Sequence, residues 1–66
     1  AVLVEALESD TTLFRRAAAF SLSFCGEEAA IALPALQKAA TDFDRAVRVP
    51  AREAVTRIEA AVAESP

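Results

Sequence analysis

The chain has 66 residues, a formal net charge of −3, a single Cys and no His. This length allows one domain at most, and the acidic balance argues against a nucleic-acid binder, which would carry a basic field. A lone thiol favours a reducing compartment, so a cytoplasmic location is expected, and one Cys without His cannot form a tetrahedral zinc site. No apolar run approaches the ~20 residues that a membrane-spanning helix needs.

The first predicted helix is short. It runs from about Val2 to Glu8, and its apolar face holds Leu3, Ala6 and Leu7. Residues 9–12 follow as a polar turn, since Ser, Asp and Thr side chains accept hydrogen bonds from the free backbone N–H groups at a helix start. The turn therefore predicts where the second helix begins.

The second predicted helix runs from about Thr12 to Cys25 and is apolar around most of its circumference. One stripe consists of Phe14, Ala18, Ser21, Leu22 and Cys25, and a second stripe consists of Leu13, Ala17, Phe20 and Phe24. An exposed second stripe would imply a partner or an adjacent repeat. The pattern favours the other interpretation, in which the helix is central and both stripes are core. Gly26 follows, and it suits the left-handed conformation that ends many helices.

The third and fourth predicted helices each contain a proline. The third runs from about Glu27 to Ala40, and Pro34 either kinks it or moves its regular start towards Pro34. Residues 41–44 form a turn, with one of its two Asp residues as the cap of the next helix. The fourth runs from about Arg45 to Ala63, where Pro50 predicts either a bend or a helix that is regular only from Pro50. Its inner positions are Val47, Ala51, Ala54, Val55, Ile58, Ala61 and Val62.

Two stretches of the chain repeat each other 33 residues apart. Ser9–Arg15 matches Asp42–Arg48, and each leads to small and apolar residues at helical spacing. A period in this range is typical of stacked helical arrays. The sequence therefore predicts an all-α fold of two stacked antiparallel helical hairpins, an α-solenoid, as one unit over residues 1–66. Repeat one covers about 1–26 and repeat two about 27–66.

These residues resemble the HEAT repeat, in the form found in bacterial and cyanobacterial bilin lyases. The family pattern is Gly, an Ala-rich run to Pro-x-Leu, and then Asp-x-Asp-x-x-Val-Arg-x-x-Ala-x-x-Ala-Leu. It stands here as Gly26, Glu28-Ala29-Ala30, Leu33-Pro34-Ala35-Leu36, Asp42, Asp44, Val47, Arg48, Ala51, Ala54 and Val55. The resemblance covers nearly the whole chain, about two repeats. It implies that the second helix of each hairpin lines a concave face.

The first copy departs from the family pattern more than the second copy does. Ser9 and Thr11 stand where the family has acids, Phe14 stands for Val, and Ala1 aligns with Pro34. The first copy thus lacks the front half of its first helix, as in a cut through a longer array or an unusual cap. An Ala-rich unit of this size is expected to be marginally stable alone, so neighbouring repeats, a second copy or a partner are expected to stabilise it.

The sequence offers no catalytic constellation, cofactor site or metal site. Without His, Cys25 has no adjacent base, and we expect it to be a small buried core residue. Asp42 and Asp44 lack the further oxygen ligands of a calcium loop, so turn and capping roles are expected for them. The chain is therefore predicted not to be an enzyme.

The arginines allow two interpretations each. Arg15 and Arg48 occupy equivalent positions and could bind a ligand. The resemblance implies the interpretation that we favour, in which the Arg hydrogen-bonds an Asp of a neighbouring turn, as is common in HEAT-like arrays; for Arg15 this would be Asp42 or Asp44. Arg45, Arg48 and Arg52 lie on one side of the fourth helix. They form either a basic stripe for an acidic partner or a solvated face.

The sequence thus predicts a non-catalytic protein-interaction or scaffold module. The expected contact residues are Arg45, Arg48 and Arg52 for an acidic partner, with Phe20 and Phe24 for apolar contact. The expected partner is a protein with an acidic or apolar surface, an adjacent repeat or a second copy, and neither nucleic acid nor a membrane. The alternative, implied by the resemblance, is an accessory subunit or fragment of a bilin lyase, in which arginines bind the propionates of a tetrapyrrole.

Overall fold

The protein is all-α in the part that the structure describes. The structure is a computed structural model that describes the backbone of residues 2–64 and the side chains of residues 5–26 and 29–64. Its helices are α1 (Val2–Leu7), α2 (Thr12–Leu22), α3 (Leu33–Ala39) and α4 (Arg45–Glu64), with a 3-10 segment over Gly26–Ala32. The prediction of an all-α chain with four helices is confirmed. None of the helices over 2–64 is long and apolar enough to cross a membrane.

Helix α2 ends three residues before its predicted end. After Leu22 the backbone bonds change to a tighter spacing: Phe24 N donates to Ser21 O at 3.2 Å and Cys25 N donates to Leu22 O at 3.1 Å. The Ser23 hydroxyl donates to the Phe20 carbonyl at 2.6 Å. These bonds form a compact turn that leads to Gly26.

Gly26 has a backbone conformation that other residues rarely adopt. Its φ is +62°, in the left-handed region, and a Cβ built there meets nothing within 4 Å. The effect of a side chain is therefore conformational and not steric. We expect Gly26→Ala to lower the free energy of unfolding by about 1 kcal/mol and Gly26→Asn by less, since Asn tolerates this region better. Urea denaturation measures both values, and an unchanged midpoint for the Ala variant would contradict the assigned backbone conformation.

Pro34 divides the third predicted helix. The segment before it is a 3-10 helix, and α3 begins at Leu33, so that Pro34 lies in the first turn. A proline there removes no intrahelical hydrogen bond, because the first N–H groups of a helix have no partner within it. The prediction that the regular start moves towards Pro34 is confirmed.

Helix α4 begins at Arg45 and includes Pro50. The predicted alternative of a regular start at Pro50 is wrong, because Asp44 starts the helix earlier. An Asp44 carboxylate oxygen accepts a hydrogen bond from the Ala46 backbone N–H at 2.9 Å, which is the capping role predicted for this turn. Further along the helix, Arg57 and Glu53 form an ion pair at 2.7 Å between half-exposed side chains.

The core is built mainly from small side chains. The largest fully buried residues are Leu36, Val47 and Ile58. Among the described side chains, the buried apolar residues are Leu7, Ala18, Ala19, Leu22, Ala29, Ala32, Leu36, Ala39, Val47, Ala51, Ala54 and Ile58. Seven of these twelve are Ala, which lets helices approach closely but removes little apolar area from water. Leu3, which was predicted on the inner face of the first helix, lies outside the described side chains.

Helices pack within each hairpin and also between the hairpins, where the contact of α2 with α4 is the most extensive. Helix α1 packs on α2, α3 and the 3-10 segment pack on α4, and α2 packs on α4. The predicted inner face of α4 is confirmed, since Val47, Ala51, Ala54 and Ile58 are completely buried. Val62, at the far end of the predicted face, is 44% exposed.

The prediction that both stripes of α2 are core is wrong. Only Ala18, Ala19 and Leu22 are buried on this helix. The whole second stripe is exposed, and so is Phe14 of the first stripe. Cys25, which was expected in the core, is also exposed.

A comparison of the two repeats explains why Phe14 and Cys25 are exposed. Phe14 and Cys25 correspond to Val47 and Ile58 in the second copy, and both of those residues are buried. In the second copy α4 receives α3 and the 3-10 segment on its surface, whereas α2 has α1 as its counterpart of α3. Residues 1–66 hold no first-copy counterpart of Gly26–Ala32. The corresponding side of α2 therefore has less protein to cover it.

Candidate functional site

The two repeat turns are built by equivalent hydrogen bonds. In the first, the Ser9 hydroxyl oxygen accepts from the Thr11 backbone N–H at 3.1 Å. In the second, an Asp42 carboxylate oxygen accepts from the Asp44 backbone N–H at 2.8 Å. Ser9 thus performs the same structural task as Asp42, 33 residues later. Thr11 does not replace Asp44 completely, since its side chain caps no backbone N–H of α2.

Arg15 and Arg48 also make equivalent contacts. Arg15 Nη1 donates to the Ser9 carbonyl at 2.8 Å, and Arg48 Nη1 donates to the Asp42 carbonyl at 3.1 Å. Each guanidinium therefore ties its own helix to the turn that precedes it. The repeat seen in the sequence is present in the structure at the level of single hydrogen bonds.

Arg15 additionally joins the two turns. Its Nε donates to Asp42 Oδ2 at 3.0 Å, and the two side chains are only 14% and 13% exposed. Its Nη2 donates to the Thr12 hydroxyl at 3.3 Å. The predicted structural interpretation of Arg15 is confirmed, with Asp42 as the partner. The Arg15 guanidinium therefore donates to three acceptors within the chain and links the two turns.

The predicted basic stripe on α4 divides into two kinds of side chain. Arg48 donates to the Phe43 carbonyl at 2.9 Å in addition to its bond to Asp42, and Arg52 Nε donates to the Ala40 carbonyl at 3.1 Å. Both arginines therefore bind the turn between α3 and α4. Arg45 is exposed and makes no hydrogen bond or ion pair among the described residues.

The exposed side of α2 and the turn that follows it form an apolar surface, which we call the α2 outer face. Its residues are Leu13, Phe14, Ala17, Phe20, Ser21 and Phe24. The four large side chains are exposed by 66% (Leu13), 61% (Phe14), 59% (Phe20) and 64% (Phe24). No charged residue stands among these six. Helix α2 thus has one apolar side in the core and a second apolar side that is exposed to solvent.

Two of these phenylalanines are held in a defined arrangement. The rings of Phe20 and Phe24 meet edge to face, with 5.3 Å between centroids and 66° between planes. The Arg57 guanidinium carbon lies 5.2 Å from the centre of the Phe24 ring, and Glu53 holds Arg57 from the other side. Edge-to-face and cation–π contacts each stabilise such an arrangement modestly. The aromatic pair is therefore oriented before any partner arrives.

Two grooves meet on this surface. One, of about 530 Å³, runs along the outer face of α2 and is lined by Leu13, Phe14, Arg16, Ala17, Phe20 and Ser21. The other, of about 560 Å³, lies between α2 and α4 and is lined by Arg16, Phe20, Arg45, Ala46, Val49, Pro50 and Glu53. Arg16 and Phe20 line both, so the grooves are neighbours on the surface. Of the predicted contact residues, the structure brings Phe20 and Arg45 together here, and Phe24 lies against Phe20 from the turn after α2.

Sequence reasoning missed Arg16 as a member of this site. The neighbours of Arg16 one helical turn away are Thr12, Leu13, Ala19 and Phe20. None of them carries a carboxylate, so no ion pair within α2 could neutralise the guanidinium. That spacing was a readable signal for an unpaired charge beside an apolar stripe.

The surface has no features of a catalytic or metal centre. The Cys25 thiol lies 3.5 Å from the Ser21 carbonyl oxygen, in an exposed turn. Among the side chains that the structure describes, no three His, Cys, Asp or Glu residues cluster in a way that could hold a metal ion. What the arrangement offers is apolar contact and two exposed guanidinium groups.

Comparisons with protein-family models, curated proteins and solved structures find no match to this chain. The function of the chain therefore has to be inferred from the chemistry of the site itself.

Proposed function

We propose that the chain is a non-catalytic protein-interaction module that binds through the α2 outer face. The observation that carries this proposal is the exposure of Leu13, Phe14 and Phe20 on α2, together with that of Phe24 in the turn that follows the helix. At roughly 60% exposure, these side chains present apolar surface on the order of 500 Å². A patch of that size on a small domain is often functional.

The geometry of α2 supports a binding role. Its buried side, formed by Ala18, Ala19 and Leu22, anchors the helix against the rest of the fold, so the outer face is carried on a rigid element. The Phe20–Phe24 pair is already oriented, which lowers the entropy that a partner must remove on binding. Aromatic residues are also enriched at the centres of protein interfaces.

The internal repeat indicates what kind of partner fits. On α4, the side equivalent to Phe14 is covered by helical segments of the same chain. A helix is therefore a suitable occupant for the open side of α2. Within this proposal the two hairpins are HEAT-like units of an α-solenoid, supported by the matching bonds of Arg15 and Arg48.

A direct experiment uses an uncharged amphipathic peptide of about 18 residues with one leucine stripe, long enough to form an isolated helix. Fluorescence anisotropy measures its binding to the 66-residue chain, and light scattering measures self-association in parallel. We expect saturable peptide binding or a concentration-dependent oligomer, either of which is abolished when the α2 outer face is made polar. A chain that neither binds the peptide nor associates with itself would contradict the proposed function.

The tetrapyrrole alternative lacks an observation in its favour. Arg48, the arginine predicted to bind propionates, donates to the carbonyls of Asp42 and Phe43 and is not free for that role. We expect the absorbance spectrum of an added bilin to be unchanged by the chain. A spectral shift that Arg48→Glu removes would favour the alternative over the interaction module.

A further inference from the structure

We propose, building on the interaction function above, that the partner of the α2 outer face is an amphipathic helix with carboxylates along one edge. Its apolar stripe would cover Phe20 and Phe24. Its acidic edge would lie along the groove between α2 and α4, where Arg16 and Arg45 stand. Three features favour such a partner: the charges of that groove, their position relative to the apolar surface, and the repulsion that two copies would suffer.

The groove carries two unpaired positive charges. Arg16 and Arg45 both line it and are exposed, and neither makes an ion pair or hydrogen bond among the described residues. The carboxylate that lines the groove belongs to Glu53, which Arg57 already holds at 2.7 Å. The local field is therefore positive although the chain as a whole carries −3.

Positive charges border the apolar surface where α2 faces α4. Arg16 lies beside Phe20, next to α4, and Val49 and Pro50 continue the groove with apolar contact area. The Arg57 guanidinium, which lies over the Phe24 ring, also comes from α4. A bound helix would therefore meet positive charge along the edge of its apolar stripe that faces α4. Residues at i, i+4 and i+7 of such a helix could place carboxylates on that edge.

A second copy of the chain fits this surface less well. In a two-fold dimer the same face meets itself, so Arg16 and Arg45 of both copies would lie in one interface. Because Glu53 is held by Arg57, no described carboxylate of the groove remains to neutralise them. Like charges placed together in an interface oppose association. A partner of opposite charge removes this repulsion.

The test compares two peptides that differ only in charge. Both have about 18 residues and the same leucine stripe, and one carries Glu along one edge where the other carries Lys. Anisotropy at low salt should give the acidic peptide a Kd roughly tenfold below that of the basic peptide, and the difference should shrink at about 500 mM NaCl. The Arg16→Glu/Arg45→Glu variant should reverse the preference. The single variant Arg16→Glu should reduce the preference for the acidic peptide. Lys38→Glu changes the net charge by the same amount on α3, outside the groove, and should leave the preference unchanged.

The outcomes separate the inference from the function on which it rests. Equal binding of both peptides, or a preference that the double charge reversal does not change, would overturn the acidic partner and leave the interaction surface in place. Self-association without binding of either peptide would likewise favour a second copy over an acidic helix. Binding to phosphatidylserine vesicles in preference to the acidic peptide would replace the protein partner with a membrane surface. A monomeric chain that binds none of these would contradict both the inference and the proposed function.

Discussion

Replacing Phe20 and Phe24 together with Ser is expected to weaken binding of a leucine-striped helix by about 100-fold, as is typical when two aromatic residues at the centre of an interface are removed. The two rings supply the central contact area of the α2 outer face and are 59% and 64% exposed. A partner that covers them removes this area from water, and Ser restores none of the contact. Anisotropy titration of the peptide against the wild type and the variant measures the effect.

The same substitutions should change folding little. Phe and Ser have similar helix propensities, and neither ring lies in the core, so we expect a loss of no more than about 1 kcal/mol in the free energy of unfolding. Phe43→Ser is the control, because Phe43 is 91% exposed in the turn before α4 and is not part of the α2 outer face. A Phe43 variant that weakens binding as much as the double variant would show that the peptide recognises exposed phenylalanine without regard to place.

Arg15→Ala is expected to lower the free energy of unfolding by about 2–3 kcal/mol, since it removes three hydrogen bonds, one of them to a carboxylate. The lost acceptors are Asp42 Oδ2, the Ser9 carbonyl and the Thr12 hydroxyl. For a domain of this size that loss corresponds to a decrease in Tm of roughly 10–20 °C. Thermal melting followed by circular dichroism measures it.

A double-mutant cycle assigns part of that loss to the contact between the two turns. Asp42→Asn keeps an oxygen for the Asp44 N–H but removes the charge that Arg15 binds. We expect a coupling energy of about 1–2 kcal/mol between Arg15→Ala and Asp42→Asn. Arg45→Ala is the control, because Arg45 is exposed and has no described partner. Additive effects of Arg15 and Asp42 would mean that the two turns are stabilised independently.

Much of the fold could be predicted from local patterns. The polar turns and the apolar spacing predicted the starts of α2 and α4 correctly, and the resemblance to HEAT repeats implied that Arg15 bonds an Asp of the second turn. These features depend on residues close in sequence or on one repeated contact. Pro34 was harder, because its sequence position allows a kink as readily as a start, and the outcome depends on the preceding 3-10 segment.

The exposed site could not be predicted in the same way. Helical spacing shows which side chains share a face, but not whether another element covers that face. Phe14 and Val47 occupy equivalent positions, yet Phe14 is 61% exposed and Val47 is fully buried. Cys25 and Ile58 differ in the same direction, because the second copy has the segment Gly26–Ala32 and the first has no counterpart within residues 1–66. The neighbours of each face decide its exposure.

The groove charges show a related limit. Spacing placed Arg45, Arg48 and Arg52 on one side of α4, but Arg48 and Arg52 bind carbonyls of the turn that precedes the helix. Those bonds depend on the tertiary position of the turn, which helical spacing does not encode. Arg16, on α2, instead lines the same groove as Arg45, on α4.

The proposed function requires that the folded chain leaves the α2 outer face open for a partner. Solution NMR with a soluble paramagnetic agent tests it most directly, because the agent broadens the signals of side chains that solvent can reach. In a dilute monomer we expect strong broadening for the rings of Phe20 and Phe24, comparable with Phe43, and protection for Leu36 and Ile58 in the core. Protection of both Phe20 and Phe24 in a folded monomer would contradict the account, since the proposed contact surface would then be part of the core.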